Sequence, residues 1–112
     1  MPEGLEVSTD ETARALEEGS AQVVDVREPY EREAGYVAGS EHIELQHLAG
    51  AAQSLDPERP VIFYCRAGSR SLMAAQAFDR AGFQAYSMAG GLLQWADEGR
   101  PLVPENGTVA DH

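Results

Sequence analysis

The chain has a single cysteine, Cys65, in 112 residues. One cysteine excludes an intrachain disulfide framework and leaves no Cys-x-x-Cys pair for metal or redox chemistry. Three dispersed histidines (His42, His47 and His112) do not make up for it, so neither a metal nor a bound cofactor is expected. No apolar run approaches the roughly 18 residues of a membrane span. No basic-then-apolar start resembles a signal peptide, and a cytoplasmic protein is the expectation. Positive charge is also scarce: eight Lys and Arg against 19 Asp and Glu give a net charge of −11. That balance argues against nucleic acid and anionic membrane as partners. A small anion is a different matter, because charges beyond roughly 8 Å are largely screened at physiological salt. Local arginines are expected to outweigh distant carboxylates.

What the chain does contain suits one core and one domain. Ser8-Thr9-Asp10-Glu11 has the form of a helix capping box, Ala13, Ala15 and Leu16 follow at helical spacing, and Gly19 reads as a stop. Ala21 to Val26 reads as a buried strand, and Pro29 suits the first turn of a short helix. Gly35 to Ser40 is loop-like, Glu41 to Leu45 alternates like a short strand, and His47 to Ala52 suggests a weak helix. Asp56 to Pro60 is a turn before the apolar strand Val61-Ile62-Phe63-Tyr64. A helix follows through Leu72, Ala75 and Phe78 to about Gly82, then a strand over Phe83 to Met88. A short helix containing Leu92 and Trp95, both read as core residues, follows Gly90-Gly91 and closes at Gly99-Arg100-Pro101. Apolar strands separated by helices predict a mainly parallel sheet covered on both faces, a three-layer α/β/α domain over residues 1–104. Residues 105–112 offer little to bury and are expected to fray. There is no internal repeat or low-complexity tract.

The informative stretch is Cys65-Arg66-Ala67-Gly68-Ser69-Arg70-Ser71, where the apolar strand ends and a helix begins. N–H groups at such a turn have no intrahelical partner and carry the positive end of the helix dipole. That makes an anion site, and it favours a thiolate nucleophile. Gly68 lets the backbone curl so that successive N–H groups converge. Arg66 and Arg70 add positive charge. Ser69 or Ser71 can cap the helix or donate to sulfur, capping being the expected role. Cys65 could instead be a small core residue, but a core cysteine requires neither flanking arginines nor a tight glycine turn. Asp25 and Arg27 stand at the end of a strand, where they could act in catalysis or simply fix the loop.

Four pieces in order resemble the single-domain rhodaneses, the thiosulfate and persulfide sulfurtransferases: Val24 to Pro29, Gly39 with Ile43, Tyr64 to Ser71, and Gly90 to Trp95. Departures lie where that family commonly has Gly-His-Ile-Pro-Gly-Ala and Asn-Ile-Pro, and this chain has Gly35 to Ser40 and His42-Ile43-Glu44. The resemblance implies a rhodanese-like fold and a two-step reaction. Cys65 attacks the sulfane sulfur of an anionic, thiosulfate-like donor; a persulfide, held by the N–H groups of Arg66 to Arg70, then passes its outer sulfur on. It also implies that Arg66 and Arg70 orient the donor, while Asp25, Arg27 and Ser71 support the loop. With no second cysteine the acceptor must be external: cyanide in an assay, a thiol or protein in the cell. One alternative is a non-catalytic binding module. The other, a cysteine phosphatase, is disfavoured because Cys65 to Arg70 is Cys-x4-Arg rather than Cys-x5-Arg.

Overall fold

The strand before the cysteine is apolar at every position because it is covered on both sides. In the computed structural model, which describes residues 4–111, β4 (Val61–Tyr64) is the middle strand of five, and all four of its residues are buried. The others are β1 (Glu6–Val7), β2 (Gln22–Asp25), β3 (Glu41–His42) and β5 (Ala85–Met88). Their order is β1-β5-β4-β2-β3, and every pairing is parallel.

Alternate residues of the strands feed two cores, as the period of two requires. Val24, Val61, Phe63 and Cys65 face one side with Ala74, Ala75 and Phe78 of α4 (Ser69–Arg80) and Leu48 of α3 (Leu48–Ala51). Phe63 and Phe78 meet edge to face at 5.1 Å between ring centroids. Val23, Ile62, Tyr64 and Met88 face the other side with Ala15 of α1 (Thr9–Glu18) and Leu92 and Trp95 of α5 (Gly91–Asp97). The three-layer expectation holds, and Leu92 and Trp95 are core residues. The sheet is wholly rather than mainly parallel.

Local signals account for several boundaries. Ser8 caps α1 with a reciprocal box to Glu11, and Gly19 closes it in the left-handed conformation at φ 65°. Pro29 opens α2 (Pro29–Ala34). Other boundaries differ. β1 is not predicted from the sequence, since a two-residue strand leaves almost no periodic signal; Leu5 and Val7 carbonyls accept from Ser87 and Ala89. The strand expected over Glu41 to Leu45 stops at His42, and a 3-10 turn takes Leu45–His47. The helix after the cysteine begins earlier, at Ser69.

Residues 105–111 lie docked against the domain. Tyr36 and Val103 exchange both backbone hydrogen bonds, Thr108 N–H donates to Ala34 at 2.7 Å, and Val109 packs on the second core. Gly35 permits this approach, since a Cβ there would lie 2.5 Å from the Thr108 carbonyl oxygen. Composition hid the docking because backbone groups and one valine carry it.

Candidate active site

In a parallel sheet the loops after the strand C-termini gather on one edge. Asp25 ends β2, Tyr64 ends β4 and Met88 ends β5, so the β2–α2, β4–α4 and β5–α5 turns converge there. Cys65 follows Tyr64 directly and is 1% exposed.

The Cys65 sulfur lies inside its own loop. Gly68 N–H donates to Sγ at 3.1 Å and Ser71 N–H at 3.4 Å, with the Ser71 hydroxyl also at 3.4 Å. Gly68 reaches this position at φ 108°, in the region that favours glycine. The N–H groups of Arg66, Ala67, Ser69 and Arg70 have no hydrogen-bond acceptor among the described residues. They lie in the loop and at the head of α4, a helix of 12 residues. Ala67 and Ser69 are exposed and bring only backbone. The serine expectation needs correcting: the N-cap of α4 is Gly68, with no side-chain cap. Ser71 instead donates to the Gly68 carbonyl at 3.2 Å, pairs with Ser87 at 2.7 Å and lies against the sulfur.

The β5–α5 turn holds the cradle from the other side. Leu92 N–H donates to the Cys65 carbonyl at 2.9 Å and Leu93 N–H to that of Arg66 at 3.0 Å. Gly91 makes this possible, because a Cβ there would fall 2.5 Å from the Arg66 carbonyl oxygen. In the sequence Gly90-Gly91 reads as a helix-opening turn and as part of the Gly90 to Trp95 resemblance; neither reading announces its contact with the loop.

Both arginines of the loop are engaged with other parts of the chain. Arg70 makes a two-pronged pair with Glu31 at 2.9 Å on each arm, and the Glu31 carboxylate is completely buried. Burial pushes the Glu31 carboxyl up, but hydrogen bonds from Arg70 and the Glu28 N–H, with the charges of Arg70 and Arg27, leave it below its ordinary value. Arg66 donates from Nε to the Ala110 carbonyl at 3.1 Å and places Nη2 3.6 Å from Asp111. Glu31 is a residue that sequence reasoning missed. It sits among four other charged residues within Arg27 to Glu33, with nothing local to single it out.

Asp25 and Arg27 lie beneath the site. Asp25 is fully buried and accepts from Arg27 N–H at 3.0 Å and from Nε and Nη2 at 2.8 Å each. Tyr64 OH adds a bond at 3.3 Å and also takes part with Val37 N–H and Ser40, while Arg27 Nη2 reaches the Gly35 carbonyl. Burial disfavours the Arg27 charge, yet the hydrogen bonds and charge of Asp25 leave it more strongly protonated than usual. Desolvation and the Asp25 charge push the Tyr64 phenol up to about 12. These groups tie β2, β4 and the Gly35–Ser40 loop together. Among the described residues no group of three or more His, Cys, Asp or Glu is placed to hold a metal, and no helix is long and apolar enough to cross a membrane.

A buried thiol at a strand-to-helix turn on an all-parallel three-layer sheet defines a rhodanese-type architecture, and comparison with known proteins agrees. The model of the rhodanese-like domain family matches residues 8–98, and the chain belongs to that family. Thiosulfate sulfurtransferase GlpE of Pseudomonas aeruginosa is 38% identical over 86 residues, covering 76% of this chain and 78% of that one. The putative sulfurtransferase YtwF of Bacillus subtilis is 29% identical over 97 residues, covering 86% and 94%. The crystal structure of a rhodanese-related protein from Thermoplasma volcanium superposes with a TM-score of 0.82 at 26% identity, covering 89% and 98%.

Proposed function

We propose that the protein is a sulfurtransferase in which Cys65 takes a sulfane sulfur from thiosulfate or another persulfide donor and hands it to an external thiophilic acceptor. The supporting observation is the placing of the Cys65 sulfur among converging N–H groups at the start of α4, two of which already donate to it. The thiolate forms a new S–S bond with the outer sulfur of the donor, and the donor's own bond to that sulfur breaks. With thiosulfate, sulfite departs with the electron pair. The persulfide then extends toward the N–H groups of Arg66, Ala67, Ser69 and Arg70. Preorganised backbone dipoles suit a charge that stays on sulfur through both half-reactions. Asp25, Arg27 and Ser71 act as positioning residues. The Arg70–Glu31 pair weighs against the phosphatase alternative, in which an arginine would turn to phosphate.

Incubation with thiosulfate or a persulfide donor is expected to add the mass of one sulfur atom to the reduced protein, removable by cyanide as thiocyanate. Cys65→Ser abolishes both. An intact mass unchanged by every donor would favour a non-catalytic module, and turnover of an aryl phosphate lost in Cys65→Ser would favour the phosphatase.

A further inference from the structure

Beside the active loop lies a cavity of about 270 Å³ lined by Val26, Glu28, Glu44, Leu45, Gln46 and Arg70. Arg70, the fifth residue after Cys65, is among its lining residues, so the cavity borders the active loop. Its charged groups are two carboxylates and one guanidinium. The guanidinium is neutralised, since both of its terminal nitrogens bind Glu31. Glu44 accepts from the neutral amide of Gln46 at 3.1 Å, and its one ion-pair partner among the described residues, His47 Nδ1, stands 4.0 Å away. Arg66 does not compensate either, being held by the Ala110 carbonyl and Asp111. The cavity therefore presents net negative charge, on a chain whose overall charge is −11.

That charge bears on the second half-reaction, and its consequence rests on the protein being a sulfurtransferase. The acceptor thiolate must approach a sulfur that is itself anionic. Its sulfur bonds to the outer sulfur of the persulfide, the S–S bond to Cys65 breaks, and Cys65 leaves with the electron pair as thiolate. Two negative charges enter and two leave, so no oxidant or reductant is consumed. In an acidic cavity repulsion opposes this approach unless the acceptor carries compensating charge. We infer that the acceptor is a thiol bearing a positively charged group next to its sulfur, which Glu28 and Glu44 receive. A free aminothiol and a protein thiol flanked by basic residues offer the same chemistry.

The test uses the full chain loaded with sulfur from thiosulfate or polysulfide, at pH 8, where an ordinary imidazole is neutral. Release of the sulfur mass is timed with 2-aminoethanethiol, 2-mercaptoethanol and 3-mercaptopropionate, each referred to its thiolate concentration. The cationic thiol is expected to react at least about tenfold faster than the anionic one at low salt, and the gap should shrink as ionic strength rises. Glu28→Gln/Glu44→Gln should collapse the preference by slowing the cationic thiol and speeding the anionic one. A cysteine peptide flanked by arginines separates the sources. If it outpaces 2-aminoethanethiol the charge belongs to a protein acceptor, and if it lags, to a free aminothiol; either result supports the inference. Equal rates across the three thiols, or a preference for the anionic one, overturn it while leaving the sulfurtransferase assignment intact. A protein that never acquires sulfur overturns that assignment instead.

Discussion

Arg70→Ala tests whether the active loop is held by a buried ion pair or decorated by a surface one. An exposed pair contributes about 0–1 kcal/mol. The Glu31 side chain is fully buried and that of Arg70 only 18% exposed, with two bonds of 2.9 Å between them. Removing the guanidinium strands a carboxylate in the interior, for which about 3 kcal/mol is the expected loss. Arg27 still contributes a favourable charge, so the upper end of such losses is not expected. In a domain of this size the loss lowers Tm by on the order of 10–20 °C. The assay is urea unfolding followed by Trp95, the one tryptophan of the chain and a core residue. Its pH dependence carries the sign. With Arg70 present, Glu31 titrates below its ordinary 4.5 in the folded protein, so its stabilisation is complete above that pH and is lost as pH falls through the lowered folded value. Without Arg70, burial dominates, the folded carboxyl rises above its unfolded value, and protonation favours folding. The gap between wild type and variant should therefore begin to narrow above 4.5, as the variant's raised carboxyl takes up its proton, and go on narrowing below 4.5 as the wild type loses its share. Glu31→Gln/Arg70→Met, which removes both charges, should recover much of the loss. A loss below about 1 kcal/mol, or a gap that does not narrow in acid, refutes the buried-pair account.

Two further outcomes concern the network and the turn that surround the loop. Tyr64 titrates at about 12 against an ordinary 10.0, so folding is favoured up to pH 10 and loses stability as pH rises toward 12. That limb is on the order of 2–3 kcal/mol; urea titrations should show it flatten in Tyr64→Phe, whose neutral-pH stability drops because Val37 N–H loses its partner. Gly91→Ala combines φ 60° with a 2.5 Å overlap on the Arg66 carbonyl, whereas Gly19→Ala has φ 65° and open space. The first should cost about 2–4 kcal/mol and impair sulfur loading, while the second costs about 1 kcal/mol and leaves loading intact. Denaturation and intact-mass measurement separate them.

The layers and the placing of Cys65 were legible because each rests on a local pattern. Val61 to Tyr64 could only be a doubly covered strand, and a cysteine between it and a helix could only lie at a strand C-terminus. What was not legible depends on distance in space. Glu31 lies 39 residues from Arg70 and Gly91 lies 25 from Arg66, and neither has a neighbour in sequence that announces the contact. Ser71 escapes a sequence rule for a related reason: capping is local, and Gly68 at φ 108° already fills the cap position. The docked tail escaped notice because composition records side chains, while Thr108 and Ala110 are held through backbone.

The two arginines of the loop have partners elsewhere in the chain. Their positions beside Cys65 suggested charge delivered to an anionic donor. In the folded protein Arg70 faces a carboxylate from α2 and Arg66 the segment beyond Val103, so both side chains tie the loop to other parts of the chain. The groups of the loop left without an acceptor among the described residues are peptide N–H groups, and their number depends on the backbone path rather than on side-chain identity. A dipole cradle of this kind holds one anionic sulfur without setting a preference for the rest of the molecule that brings or removes it. On the proposed function, that preference falls to the cavity beside the loop, where Glu28 and Glu44 stand with the Glu31-paired Arg70. On the same reading, the loop and its walls should answer to different substitutions: Gly91 and Glu31 are expected to affect whether sulfur is held, and the two glutamates which acceptor collects it.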